Sequence, residues 1–96
     1  MKGVSAIEES AIQLLETVQA GWEEDILFSA WLGAEGERVR DNALALVRAA
    51  ESHTIRSLLA GATVHEFLGL SWLEVHYKCY ERADVLQALV ADANAA

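Results

Sequence analysis

His76 and Cys79, an imidazole and the chain's single thiol three residues apart, come nearest in type and spacing to a reactive site. That spacing sets both on one face of a helix. Such a pair can ligate a metal or act as a Cys–His nucleophile. Zinc takes about four ligands, so His53, His65 or Glu66 would have to complete the set. The chain contains no Cys-x-x-Cys and no His-Glu-x-x-His. Cys79 also closes an apolar stripe, Leu68, Trp72, Val75 and Cys79, at spacings of four, three and four. On such a stripe a thiol packs as a small hydrophobe and does not serve as a thiolate. The pattern points away from catalysis, and no metal or cofactor is expected.

Two other spacings bear on nucleic acid. Arg48 and His53 form an Arg-x4-His arrangement that resembles the RNase motif of HEPN domains. The resemblance would imply a small nuclease using those two residues. The simpler reading places Arg48 near the C-terminal end of a helix, where a cation is favoured. The stretch TVHEFLGLS, residues 63–71, followed by Val75, resembles a helix-turn-helix with Gly69 at the turn. Its reading helix would be Trp72–Arg82, where Lys78 and Arg82 are offset by Glu74 and Glu81. The formal net charge of −8 opposes binding to a phosphate lattice. An ordinary helix capped by Thr63 and Glu66 accounts for the same residues, and no nucleic-acid partner is expected.

The charge is uneven. Residues 1–37 carry eight acids and one base, against seven acids and six bases in residues 38–96, so the excess sits in the first part of the chain. An acidic front repels phosphate and anionic lipid and suits solvent or a basic protein. A regulator or inhibitor acting through the acidic face of residues 8–25 is therefore a second functional class. Hydrophobic residues make up 53% of only 96. That exceeds what one small core encloses, so a protein partner covering the surplus is expected. No apolar run is long enough to span a membrane. The opening MKGVSAIEES lacks the apolar centre of a signal peptide. One cysteine suits a reducing cytoplasm.

The elements that would position these residues are helices. Proline is absent, and alanine, leucine and glutamate are abundant. Ser5 to Glu8 reads as a capping box opening a helix with Ile7, Ala11, Leu14, Leu15 and Val18 on one side, ended by Gly21. Trp22–Leu32 reads as a second helix with three acids in its first turn, and Gly33 and Gly36 as the turn after it. Glu37–Ser52 is a third, Ile55–Leu59 a fourth ended by Gly61, and Val64–Tyr80 a fifth that opens on the Thr63–Glu66 box. A break at 81–83 precedes a last helix with Val85, Leu86, Leu89 and Val90, and residues 92–96 fray. The expected fold is all-α, one domain over 1–96, with five to six helices in antiparallel hairpins stacked as a small TPR-like bundle. Leu14, Leu15, Val18, Val39, Ala43, Val47, Leu58, Leu59, Leu86 and Leu89 should fill the stack. Leu27, Trp31, Leu46, Leu68, Trp72, Val75 and Cys79 should line a partner-binding groove or its floor, offered to an amphipathic helix.

Three blocks carry a family resemblance: Leu14-Leu15 with Ala20-Gly21; Glu23-Glu24 with Ala30-Trp31-Leu32 and Gly36-Glu37; and His65, Leu68, Trp72-Leu73 and Val75 running on to Leu86 and Leu89. In their order and spacing the chain resembles the TPR-like subunit of the two-part chaperone that holds the needle protein in bacterial type III secretion. The turn at Gly21-Trp22 is shorter than that family's, and residues 52–57 lack the Gly-x-Tyr-x-x-Ala flavour of a TPR turn. The resemblance implies a cytoplasmic, non-enzymatic protein. It would pair with a second small helical chaperone through its first helix, and together they would clasp the amphipathic helix of a client built to polymerise.

Overall fold

The structure, a computed structural model, describes residues 5–27 and 29–95, with the side chains at 30, 31 and 93–95 outside that description. It is an all-α bundle of six helices: α1 (Ala6–Asp25), α2 (Ala30–Glu51), α3 (Ile55–Leu59), α4 (Val64–Leu68), α5 (Leu70–Glu74) and α6 (Tyr77–Ala95). Among the described residues no helix is long and apolar enough to cross a membrane.

Local chemistry sets several of the helix starts. Ser5 is extended, and its Oγ accepts the Glu8 N–H at 3.1 Å. At α4 the capping box is complete. Thr63 Oγ1 accepts from the Glu66 N–H at 3.1 Å, and the Thr63 N–H donates to Glu66 Oε1 at 2.9 Å. These bonds satisfy backbone donors that have no partner within the first turn. At the other end of α2, Ser52 caps, and His53 takes the left-handed conformation (φ 59°). The His53 N–H then reaches the Ala50 carbonyl and the Thr54 N–H the Ala49 carbonyl, a Schellman ending in which histidine fills the place usually given to glycine.

Helix α1 does not stop at Gly21, and Trp22–Leu32 is not a helix of its own. The first four residues of that segment complete α1, and α2 starts at Ala30, antiparallel to it, with Ser29 Oγ accepting the Leu32 N–H at 3.2 Å. Gly33 and Gly36 lie inside α2. The glycines have a packing role. A Cβ at Gly36 would stand 2.8 Å from Trp22 Cδ1 and 3.0 Å from Trp72 Nε1, and one at Gly21 3.2 Å from Trp72 Cη2. Glycine can end a helix or admit a close neighbour, and here two indoles occupy the space that side chains would need.

The fifth predicted helix is likewise divided. Gly69 sits at φ 133°, outside helical space, and separates α4 from α5. A second break at Val75-His76 separates α5 from α6. The carbonyls of Phe67 and Leu68, left without helical partners, accept from Asn42 Nδ2 on α2 at 3.1 and 3.2 Å. The expected break at 81–83 does not occur. Ala83 is fully buried, and α6 runs straight through it.

Three long helices carry the architecture. Trp22 near the end of α1 bonds Gly33 near the start of α2, so α1 and α2 run antiparallel. Helix α6 runs back along α1: His76 reaches Asp25, and Arg82 reaches Gln13 at 3.1 Å. The short helices α3 to α5 cross between α2 and α6. The core holds Leu14 and Val18 of α1, Val39, Ala43, Leu46 and Val47 of α2, then Leu59, Val64, Leu68, Trp72, Leu73, Cys79, Leu86 and Val90. Of the residues expected in the stack, Leu15, Leu58 and Leu89 are only half-buried. The molecule measures 43 × 30 × 19 Å. Its thin dimension admits about two layers of helices at 8–10 Å spacing, so each long helix has one face inside and the others in solvent.

Candidate docking surface

A buried polar joint organises one end of the bundle. Trp72 is wholly enclosed, and its indole N–H donates to Asp25 Oδ2 at 3.1 Å. The same oxygen lies 2.8 Å from His76 Nε2. His76 Nδ1 donates to the Trp72 carbonyl at 2.8 Å, and the imidazole stacks on the indole with centroids 3.6 Å apart and planes 12° apart. Both ring nitrogens face oxygens, the Trp72 carbonyl on one side and the Asp25 carboxylate on the other. Asp25 lies in the last turn of α1, where the helix dipole disfavours an acid. Its two partners offset that. A second indole, Trp22, donates to the Gly33 carbonyl at 2.9 Å and carries the Arg40 guanidinium 4.7 Å above its ring.

These bonds decide what His76 and Cys79 do. His76 is fully engaged as a structural bridge. Cys79 is buried at 3% exposure, and its thiol is pushed up to about 11, first by burial and then by the Asp25 charge. A thiol in that state is neutral at neutral pH and packs as a hydrophobe. Among the described residues no group of three His, Cys, Asp or Glu side chains is placed to hold a metal ion.

Large apolar side chains are exposed on the segments next to this joint. Leu27 is 75% exposed, Tyr77 73% and Val75 64%. Leu27 follows Asp25 by two residues, and Val75 and Tyr77 flank His76, so the Asp25–His76 contact brings all three to one end of the molecule. Ile26 beside them is half exposed and packs toward Gly33. Exposed Glu23, Glu24, Glu74 and Lys78 lie next to them in the chain. An apolar centre with a charged rim is the anatomy of a protein contact.

The seven predicted contact residues thus separate. Leu27 and Val75 are on this surface. Leu46, Leu68, Trp72 and Cys79 are in the closed core, covered by the chain's own helices. Periodicity showed that they share faces, and those faces meet inside. Trp31 opens α2, and its side chain lies outside the described residues. Tyr77 lies off the 68–79 stripe and is exposed beside Val75 in the chain. Asp25 had no signal at all, because its partners are 47 and 51 positions away. The proposed reading helix of a helix-turn-helix, Trp72–Arg82, is interrupted at Val75-His76, and Trp72 cannot reach a groove. Arg48 and His53 are exposed at the opposite end of the bundle. Compared with protein-family models, curated proteins and solved structures, the chain gives no match.

Proposed function

We propose that this chain is a small helical adaptor or chaperone subunit, a non-enzymatic protein of the cytoplasm. It captures an amphipathic helix of a partner on the surface formed by Leu27, Val75 and Tyr77. The observation that carries the reading is that three large apolar side chains, each about two-thirds exposed or more, stand within two residues of the Asp25–His76 contact in the chain. Side chains of this kind gain about 25 cal/mol for each Å² of apolar area removed from water. The resemblance to the needle-protein chaperone of type III secretion supports the same reading. It supplies a client, the amphipathic helix of a subunit that must stay monomeric before export, and a second small helical chaperone as co-partner.

The test is titration of the whole chain with a synthetic amphipathic helix from a needle subunit, followed by amide chemical shifts. Shifts should centre on residues 26–27 and 75–77. The triple variant Leu27→Ser, Val75→Ser, Tyr77→Ser should keep the fold, since all three are exposed, and weaken binding at least tenfold. High salt should change the affinity little, whereas docking through the acidic face of residues 8–25 would weaken strongly as the charges are screened. Equal binding by the triple variant would remove this surface from the function.

A further inference from the structure

The opposite end of the bundle holds a cavity of about 730 Å³ where the start of α1, the end of α2, the start of α3 and the end of α6 converge. Its size falls in the range of small-molecule sites, about 300–1,000 Å³. The floor is apolar: Ala50, Ile55 and Val90 are buried there, and half-buried Ile7 and Leu89 form the walls. The rim is polar and exposed, made by Ser5, His53, Arg56 and Ser57. Among the described residues no acid lines the cavity.

That lining runs against the rest of the molecule, where acids outnumber bases fifteen to seven. Arg38 pairs with Glu35, Arg40 with Asp41, and Arg82 bonds Gln13. Among the described residues the side chains of Arg56 and His53 have neither an ion pair nor a hydrogen bond, as is also true of Arg48 and Lys78 outside the cavity. The Schellman ending of α2 fixes His53 at the mouth. The positive end of the α1 dipole also faces this region, but Glu8 and Glu9 in its first turn offset it. The Arg56 guanidinium therefore selects the charge.

We propose that this cup binds a small monoanionic amphiphile, its headgroup on Arg56 and His53 and its short hydrocarbon body against Ile7, Ile55, Leu89 and Val90. The planar guanidinium offers two parallel N–H donors to a carboxylate. The apolar body needs the buried apolar floor, and the head needs the exposed rim with its Arg56 guanidinium. The cup is distinct from the Leu27–Val75–Tyr77 surface and does not depend on it.

Octanoate is the probe. Titrated into the whole chain, it should give saturable amide shifts at residues 5–7, 53–57 and 89–90, with a Kd of about 0.1–1 mM for a ligand of this size. Acetate, which lacks the tail, and 1-octanol, which lacks the charge, should each bind at least tenfold more weakly. Arg56→Gln should weaken octanoate at least fivefold, and Ser57→Trp should block the mouth. Both positions are exposed, so an unchanged spectrum elsewhere confirms the fold. Octanol binding as tight as octanoate would overturn the anionic selection. Octanoate binding within twofold of the parent in both variants, shifts centred on other residues, or no saturable shift would overturn the site.

Discussion

Gly36→Ala tests the packing at the centre of the fold. In an open helix interior this change stabilises by about 1 kcal/mol, because alanine is the better helix former. At position 36 the added Cβ would lie 2.8 Å from Trp22 Cδ1 and 3.0 Å from Trp72 Nε1. Neither ring is free to yield. Trp22 is held by its bond to the Gly33 carbonyl, and Trp72 by its bond to Asp25. Overpacking of this kind costs about 1–3 kcal/mol, and loosening one indole N–H bond adds about 1 kcal/mol. The balance is a net loss of about 1–3 kcal/mol, or roughly 5–20 °C in Tm for a domain of this length. Thermal and urea unfolding followed by circular dichroism measure it. In a Trp22→Leu background the same glycine change should cost at least about 1 kcal/mol less, since one obstructing ring is gone. A Gly36→Ala protein as stable as the parent would refute the tight approach of the two indoles to α2.

Two further measurements follow from particular residues. Ala60 holds the left-handed conformation (φ 51°) at the end of α3. An L-residue there is disfavoured by about 1–2 kcal/mol, partly offset by glycine's greater freedom when unfolded, so Ala60→Gly should stabilise by about 0.5–1 kcal/mol in urea unfolding. Cys79 has a folded pKa raised from 9.0 to about 11, so its contribution is fully present below pH 9 and is lost as pH rises from 9 through about 11. The loss amounts to about 2–3 kcal/mol; the stability difference between the parent and Cys79→Ala should shrink by that amount over the window, and a constant difference would contradict it.

The helical class was legible because its signals are local. Ser5 and Thr63 both cap, the Thr63–Glu66 box in full and the Ser5–Glu8 box through its Ser5 half alone, and the stripe Val39, Ala43, Leu46, Val47 lies inside as a helical period requires. The boundaries failed where a residue type has two physical uses. Gly21 was read as a helix end and Gly33 and Gly36 as a turn; Gly21 and Gly36 act as clearances for indoles and Gly33 for Ile26, while Gly69 and Gly61, with positive φ, are true breaks. Nothing within a few residues of a glycine distinguishes these uses, because the deciding neighbour comes from another helix. The site divided for the same reason. A stripe such as Leu68, Trp72, Val75 and Cys79 names a face, but α5 ends at Glu74 and turns Val75 outward while its companions go in.

Singly exposed apolar side chains are ordinary on any protein surface, so exposure alone would say little about Leu27, Val75 and Tyr77. Their relation to the buried joint says more. Asp25 and His76 tie the end of α1 to the start of α6 through a 2.8 Å contact, and the stack of His76 on Trp72 ties both to the core. The two segments that carry the exposed side chains, 26–27 and 75–77, are therefore held together by a bond that neither contributes to solvent. A surface fixed in this way loses little conformational freedom when a partner covers it, and that lost freedom is a main cost of association. The acid that the α1 dipole disfavours, the neutral thiol beneath it and the glycines that admit the indoles all serve to hold this one end rigid. In this fold the polar joint and the apolar surface are one arrangement: the buried bonds of the first set the geometry of the second.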